Sequence, residues 1–263
     1  MKFLLFSLIS LVLFSCNKEK TFADDIVLSI QKDEKLTIQK LNEDGNELGT
    51  NLLYKGYDSS IVVVKYFENM MPEPLPPPSI NENEKKLSER INAFRDSLNH
   101  IKSPYFRNEE IEILETKENL YDSLSNKNIS IIVKENDTIP LYARNYETEE
   151  IKKYKAFPVF IKNVSTETLK IPVDAKSVAL YVLNGKKFQY IRNSDYLICS
   201  MGLPTNPYFE LKPNEILIYS FPHLEKGEKR KAKISFFKAK SKEFEISIAD
   251  KIIKKQRATK YLP

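Results

Sequence analysis

The chain is poor in cysteine, glycine and histidine, and it has no tryptophan. Two cysteines, Cys16 and Cys199, stand among 263 residues. They cannot form a disulfide framework, and a chain of this length can bury a core without one. The six glycines never group as GxGxxG or as a phosphate-binding loop, which removes the common nucleotide-binding signatures. The two histidines, His100 and His223, are far apart, and neither HExxH nor CxxC occurs, so no metal ligand set can be drawn. GxSxG is missing, and with it the hydrolase elbow. No apolar run is long enough to span a bilayer as a helix, which takes roughly 20 residues. Charge of one sign is also not in large excess. Lysine plus arginine number 41 against 36 acids, a net of +5, and the charges are interspersed. Nucleic-acid binders concentrate their excess on one face, so no nucleic-acid partner is expected. The densest basic stretches, 225–233 and 251–263, read as a solvated turn and a solvated basic tail.

What is present is a globular composition, 41% apolar and 29% charged, behind a short apolar leader. Met1-Lys2 gives a positive start, and Phe3 to Phe14 is apolar apart from Ser7 and Ser10. As a helix this stretch would reach only ~18 Å, short of a hydrocarbon core of about 30 Å. It reads as an export signal over 1–15.

Leu13-Phe14-Ser15-Cys16 closes the leader. It resembles the lipobox of bacterial lipoproteins, with leucine three before the cysteine and a small residue one before it. The resemblance implies that the Cys16 thiol is alkylated with diacylglycerol and that cleavage leaves Cys16 as the acylated N-terminus, carrying palmitate-type chains. Two or three such chains anchor stably, at about 0.8 kcal/mol per buried CH₂. Asn17, where aspartate would imply inner-membrane retention, implies the outer membrane. Lys18-Glu19 resembles the short charged tags of Bacteroidetes surface lipoproteins. The partner implied is the membrane, reached through the N-terminal lipid, on the periplasmic or cell-surface side.

Residues 16–25 read as a lipidated tether. Segments 26–31, 35–41 and 61–67 read as strands, the last (IVVVKYF) being β-branched and aromatic. Prolines crowd 72–78 and remove amide donors, which implies an extended segment. Leu87, Ile91, Phe94, Leu98 and Ile101 then form one apolar stripe at helical spacing, predicting an amphipathic helix over 80–102. Strands resume at 111–114, 129–134 and 139–143, with a turn at Glu135-Asn136-Asp137. The charged stretch 147–155 reads as the boundary of a β-rich N-terminal region, 26–146.

From 150 to 250 short apolar-alternating segments recur, with a turn about every ten residues. Asn184-Gly185 reads as a two-residue type I′ hairpin loop. Lys212-Pro213-Asn214-Glu215 reads as a turn with proline at its second position and asparagine at its third. The fold class expected is mainly β, with an antiparallel sandwich at the C-terminus. The stretch from Phe209 to Phe237 resembles the end of bacterial immunoglobulin-like and fibronectin-like domains. Leu211, Pro213 and Glu215 match their Leu-x-Pro-Gly-Glu turn, with Asn214 where glycine is usual. The resemblance implies a fold and carries no catalytic residues.

Candidate sites are few. Cys16 is the lipidation site. Asp137-Thr138-Ile139 resembles the O-glycosylation sites of Bacteroidetes exported proteins, making Thr138 a candidate; Asp96-Ser97-Leu98 and Asp122-Ser123-Leu124 share the pattern. Glu109-Glu110 and Glu149-Glu150 are adjacent pairs, which face opposite ways on a strand. Cys199 lies in an apolar context that suits a buried thiol. No catalytic residue, metal ligand or cofactor is assigned. The expectation is an outer-membrane lipoprotein acting as a non-enzymatic binding module for an envelope protein or glycan. A carboxylate-using hydrolase and a periplasmic inhibitor or immunity protein are the alternatives.

Overall fold

The structure is a computed structural model that describes residues 20–30, 35–43, 47–48, 52–57, 61–64, 114–145, 151–172, 178–193, 206–256 and 261–262. The proline-rich segment 72–78 and the helix expected over 80–102 lie outside the described residues. The strands are β1 (Val27–Ser29), β2 (Glu47–Leu48), β3 (Leu52–Gly56), β4 (Ile61–Val63), β5 (Leu114–Thr116), β6 (Ile129–Val133), β7 (Ile139–Asn145) and β8 (Ile151–Asn163). They continue as β9 (Leu169–Pro172), β10 (Val178–Asn184), β11 (Lys187–Ile191), β12 (Asn206–Leu211), β13 (Ile216–Pro222), β14 (Glu228–Phe236), β15 (Ala239–Lys240) and β16 (Phe244–Ile248). One short helix follows, α1 (Asp250–Lys254). The protein is mainly β.

The run Ala156-Phe157-Pro158-Val159-Phe160-Ile161 has no polar alternation because β8 is buried on both faces. Its side chains divide by parity. Phe157, Val159 and Ile161 enter one core. Tyr154, Ala156 and Phe160 enter another. β13 divides the same way, with Leu217 and Tyr219 on the first side and Ile216 and Ile218 on the second. In β3 the register shifts opposite Ile218 and Tyr219, so Leu52 joins the first core while Leu53 and Tyr54 both join the second. These strands belong to a six-stranded sheet in the order β2-β7-β8-β13-β3, with β6 also on β8. The first core is closed by a five-stranded sheet, β11-β10-β14-β15 with β16 on β14. Leu180, Val182, Ala232, Ile234, Phe236, Ile246 and Ile248 face inward from it. A three-stranded sheet, β5-β12-β9, adds Leu169, Ile171, Phe209 and Leu211. The second core is covered by the N-terminal segment, through Ala23, Ile26, Val62 and Val64.

Two consequences correct the sequence reading. The stretch 147–155 is no break between units. β7 and β8 pair across it from Ile139↔Ala156 to Arg144↔Ile151, and β3 and β6 from the N-terminal half pair with β13 and β8. One sheet therefore spans both sides of the expected boundary. Residues 20–25 are not tether: Ala23 is fully buried, Phe22 packs on the second core, and Lys134 Nζ donates to the Ala23 carbonyl at 2.6 Å. Segment 35–41 forms only an isolated parallel bridge, Thr37↔Tyr154.

At the other terminus, 251–263 was expected as a solvated tail. Ile252 and Ile253 are instead buried in the first core on α1, with Asp250 in its first turn and Lys251 and Lys254 in its last, as the helix dipole favours. The lysines around the isoleucine pair hid it from a reading by charge. Gln256 then holds Arg192, accepting from its N–H at 3.0 Å and donating to its carbonyl at 2.8 Å. Leu262 N–H donates to Phe188 O at 2.8 Å, so the terminus covers part of the β11 edge.

The turns are explained by backbone. Asn184 pairs with Lys187, so the hairpin loop is Gly185-Lys186, one residue later than expected. Gly185 has φ +61° while Lys186 is not in the positive region, the type II′ pattern and not type I′. Asn214 takes φ +64°, the conformation that glycine supplies in the motif it resembles, and Glu215 N–H closes the turn on Lys212 O at 3.1 Å. Stretch 225–233, expected as a turn, is a turn only to Gly227. β14 begins at Glu228, with Arg230 between Glu228 and Asp250 at 2.7 and 2.9 Å.

Behind the Lys212–Glu215 turn sits a buried polar corner. Asn163 Nδ2 donates to the carbonyls of Glu167 and Leu211 at 2.8 and 2.9 Å. Glu215 is fully buried. Its Oε2 accepts from Lys212 N–H at 2.6 Å, and its Oε1 lies 3.2 Å from Lys55 Nζ on β3. This ion pair ties β3 to the β12–β13 turn. Removing one partner strands a buried charge. Lys55→Ala is expected to cost about 3–5 kcal/mol, read as a lower urea midpoint at constant slope. Lys55→Met with Glu215→Gln should recover most of it. A single substitution within about 1 kcal/mol of the parent would show that the pair is dispensable.

Candidate functional site

A cavity of about 630 Å³ opens where the N-terminal turn meets the two larger sheets. Its walls are turn residues 20–24, residues 131–137 of β6 and the following turn, and residues 241–244 leading into β16. Its lining is mixed, with apolar side chains such as Ile131 and Phe244 beside several charged ones. That volume is within the usual range for a small-ligand site.

Each wall has a local cause. The 20–24 turn closes on itself, because Thr21 N–H and its hydroxyl both donate to Asp24 Oδ2, at 2.7 and 2.8 Å. Those two bonds hold the Asp24 carboxyl below its ordinary range, and Lys134 helps. Lys134 Nζ lies 3.4 Å from Asp24 Oδ1 and 5.5 Å above the Phe160 ring. Asp137 N–H donates to Lys134 O at 3.1 Å, which makes Lys134–Asp137 the turn expected there. Glu243 reaches Lys231 and Lys233 of β14 at 3.2 and 3.3 Å, and these bonds depress its carboxyl. All the carboxyls with resolved shifts (Asp24, Glu225, Glu243 and Asp250) move downward. Hydrogen bonds and opposite charges favour the ionised form of each of these groups.

His223 stands beside this end of the molecule. Its N–H donates to Lys155 O at 2.8 Å, and its ring meets Phe157 edge-on at 5.2 Å. Burial lowers its pKa below the ordinary 6.5, with Lys155 and Lys226 adding to the effect against a hydrogen bond to the Asp137 backbone.

The sequence candidates fall in different places. Cys16, His100, Cys199, Glu109-Glu110, Glu149-Glu150 and Asp96-Ser97-Leu98 lie outside the described residues. Thr138 is exposed, next to Asp137 of the cavity wall. Asp122 is paired with Lys238 at 2.7 Å, and Ser123 Oγ donates to Leu120 O at 2.9 Å. Among the described residues no three His, Cys, Asp or Glu side chains come together as a metal site. The sequence reading did not find Lys20, Asp24, Lys134 or Glu243. They come from segments far apart in the chain, and no spacing links them. Only the turn at 135–137 was visible. No protein-family model matches the chain, and neither does any curated protein or solved structure.

The folded state disfavours protonated His223. The unfolded chain binds more protons just below pH 6.5, so stability falls as pH drops through 6.5 toward the lower folded value. His223→Gln should flatten the urea midpoint against pH over that window. An unchanged profile would remove His223 as its source.

Proposed function

We propose that this protein is an outer-membrane lipoprotein acylated at Cys16, whose body is a non-enzymatic binding module. The observation that carries the binding reading is the cavity beside the N-terminal turn, lined by apolar side chains, lysines and carboxylates, two of which, Asp24 and Glu243, are favoured in their ionised form by neighbouring donors. Such a lining offers hydrogen bonds and paired charges to a polyhydroxylated or zwitterionic ligand, such as a glycan or a peptide segment of the envelope. A general acid would need a carboxyl raised toward neutrality, whereas Asp24 and Glu243 are shifted the other way.

The immunoglobulin-like reading of 150–250 is supported by strand pairing. β8 pairs with β13 in one sheet, and β10, β14 and β16 are neighbours in the sheet facing it. Of the cavity walls, only the 241–244 loop belongs to this stretch; the N-terminal turn and residues 131–137 supply the rest. Thr138, exposed beside the cavity, is the proposed O-glycan site.

Two measurements test this reading. Cells fed a clickable palmitate analogue should label the wild-type protein and leave Cys16→Ala unlabelled and outside the membrane fraction. Equal labelling of the two would overturn the lipoprotein assignment. Separately, the soluble Cys16→Ala form is titrated calorimetrically with sugar- and peptide-bearing envelope fragments. Lys242→Glu with Asp137→Lys in the lining should weaken binding at least tenfold, and unaltered affinity would remove the cavity as the site.

A further inference from the structure

We propose that Val27 and Ile61 form a bilayer-contacting surface beside the lipid anchor, an inference that rests on acylation of Cys16. β1 and β4 pair in parallel, with Val27 opposite Ile61, Leu28 opposite Val62 and Ser29 opposite Val63. Residues opposite each other share a face, and faces alternate along a strand. The inner face is settled: Val62 is fully buried and Leu28 packs on the second core. The outer face puts two β-branched aliphatic side chains next to each other in the open, Val27 at 58% and Ile61 at 55% exposure. Single exposed aliphatics are ordinary, but a paired set fixed in register is a small apolar surface.

The length of chain between this surface and Cys16 selects the bilayer as its occupant. The turn at 20–24 is docked by the buried Ala23 and by Lys134. Lys20 is itself held to Asp25 at 2.8 Å, and Val27 is two residues further on. From Cys16 to Lys20 is four residues, which reach ~14 Å at full extension. Acyl chains at Cys16 therefore keep the turn within about that distance of the headgroups, and the Val27–Ile61 pair with it. Lys20, largely exposed on the anchor side of that turn in sequence, suits a headgroup phosphate.

The test uses the full acylated chain in a Cys199→Ser background, with one environment-sensitive fluorophore at Ile61→Cys or, for comparison, at Lys170→Cys on β9. In vesicles carrying nitroxide-labelled phospholipid, the probe at 61 should shift to the blue and be quenched at least twofold more than the probe at 170. Equal quenching at the two sites overturns the inference. A probe at 61 already blue-shifted in the unacylated Cys16→Ala form without vesicles also overturns it, by assigning the pair to cover by protein. Palmitate labelling is read in the same preparations. Labelling with equal quenching sinks this inference alone, whereas wild-type protein without label sinks the anchor and this inference together. Should the cysteine variants fold poorly, hydrogen exchange on the unsubstituted acylated protein serves instead. Segments 26–30 and 61–64 should exchange several-fold more slowly on vesicles than in Cys16→Ala, and unchanged rates overturn the proposal.

Discussion

The rest of the structure depends on β8 being buried on both faces. Thirteen residues, Ile151–Asn163, pair with β7 and β6 along one edge and with β13 along the other. Odd-numbered side chains from Phe157 to Ile161 fill one core, and even-numbered ones from Tyr154 to Phe160 fill the other. From Ala156 to Ile161 this strand has no solvent face, so both of its sides are covered there, whereas Lys155 just before is exposed. The five-stranded sheet covers one. The N-terminal segment covers the other, which is why residues as early as Ala23 are buried. The two halves of the chain thus share a wall and fold around it together.

That wall also explains where charge is spent. A sheet buried on both faces has few outlets for polar groups, and two that lie within it are closely matched. Glu215 meets Lys55 and the Lys212 amide, and Asn163 satisfies two carbonyls. At the surface the abundant lysines act mainly as partners for acids on other segments, as Lys134 does for Asp24, Lys251 for Glu225 and Lys238 for Asp122. Each exposed pair contributes little to stability, because water and salt screen it. Their effect is positional. Beside the cavity, Lys134 with Asp24 holds the N-terminal turn to the end of β6, and Glu243 with Lys231 and Lys233 holds the 241–244 loop to β14.

Much of the strand content was visible in the sequence, and its errors have physical causes. Alternation located β14 and β16, because one face of each meets a core and the other meets water. The Lys212–Glu215 turn was readable from Pro213 and Asn214, which carry backbone preferences of their own. β3 was missed: Leu52-Leu53-Tyr54-Lys55-Gly56 is short, buried throughout and does not alternate, and its lysine looks solvent-facing until Glu215 is placed beside it. The α1 isoleucines and the docked 20–25 turn were missed for a related reason. Both sit in charged stretches, and composition averages over the few residues that go inside. The cavity was not legible at all, since Asp24, Lys134 and Glu243 have no common motif.

The sequence by itself determined what depends on near neighbours. It specified a mainly β chain, the αL turn at Asn214, an apolar N-terminal run of residues just before Cys16, and a length and composition able to bury a core. Tertiary structure decided which strands share a sheet, that one strand divides two cores, that a lysine is buried with a glutamate, and that both ends of the described chain dock on the body. The reason is range. Backbone preferences and side-chain alternation act over a few residues, whereas burial and ion pairing depend on what arrives from more than a hundred residues away, as Glu215 does at Lys55.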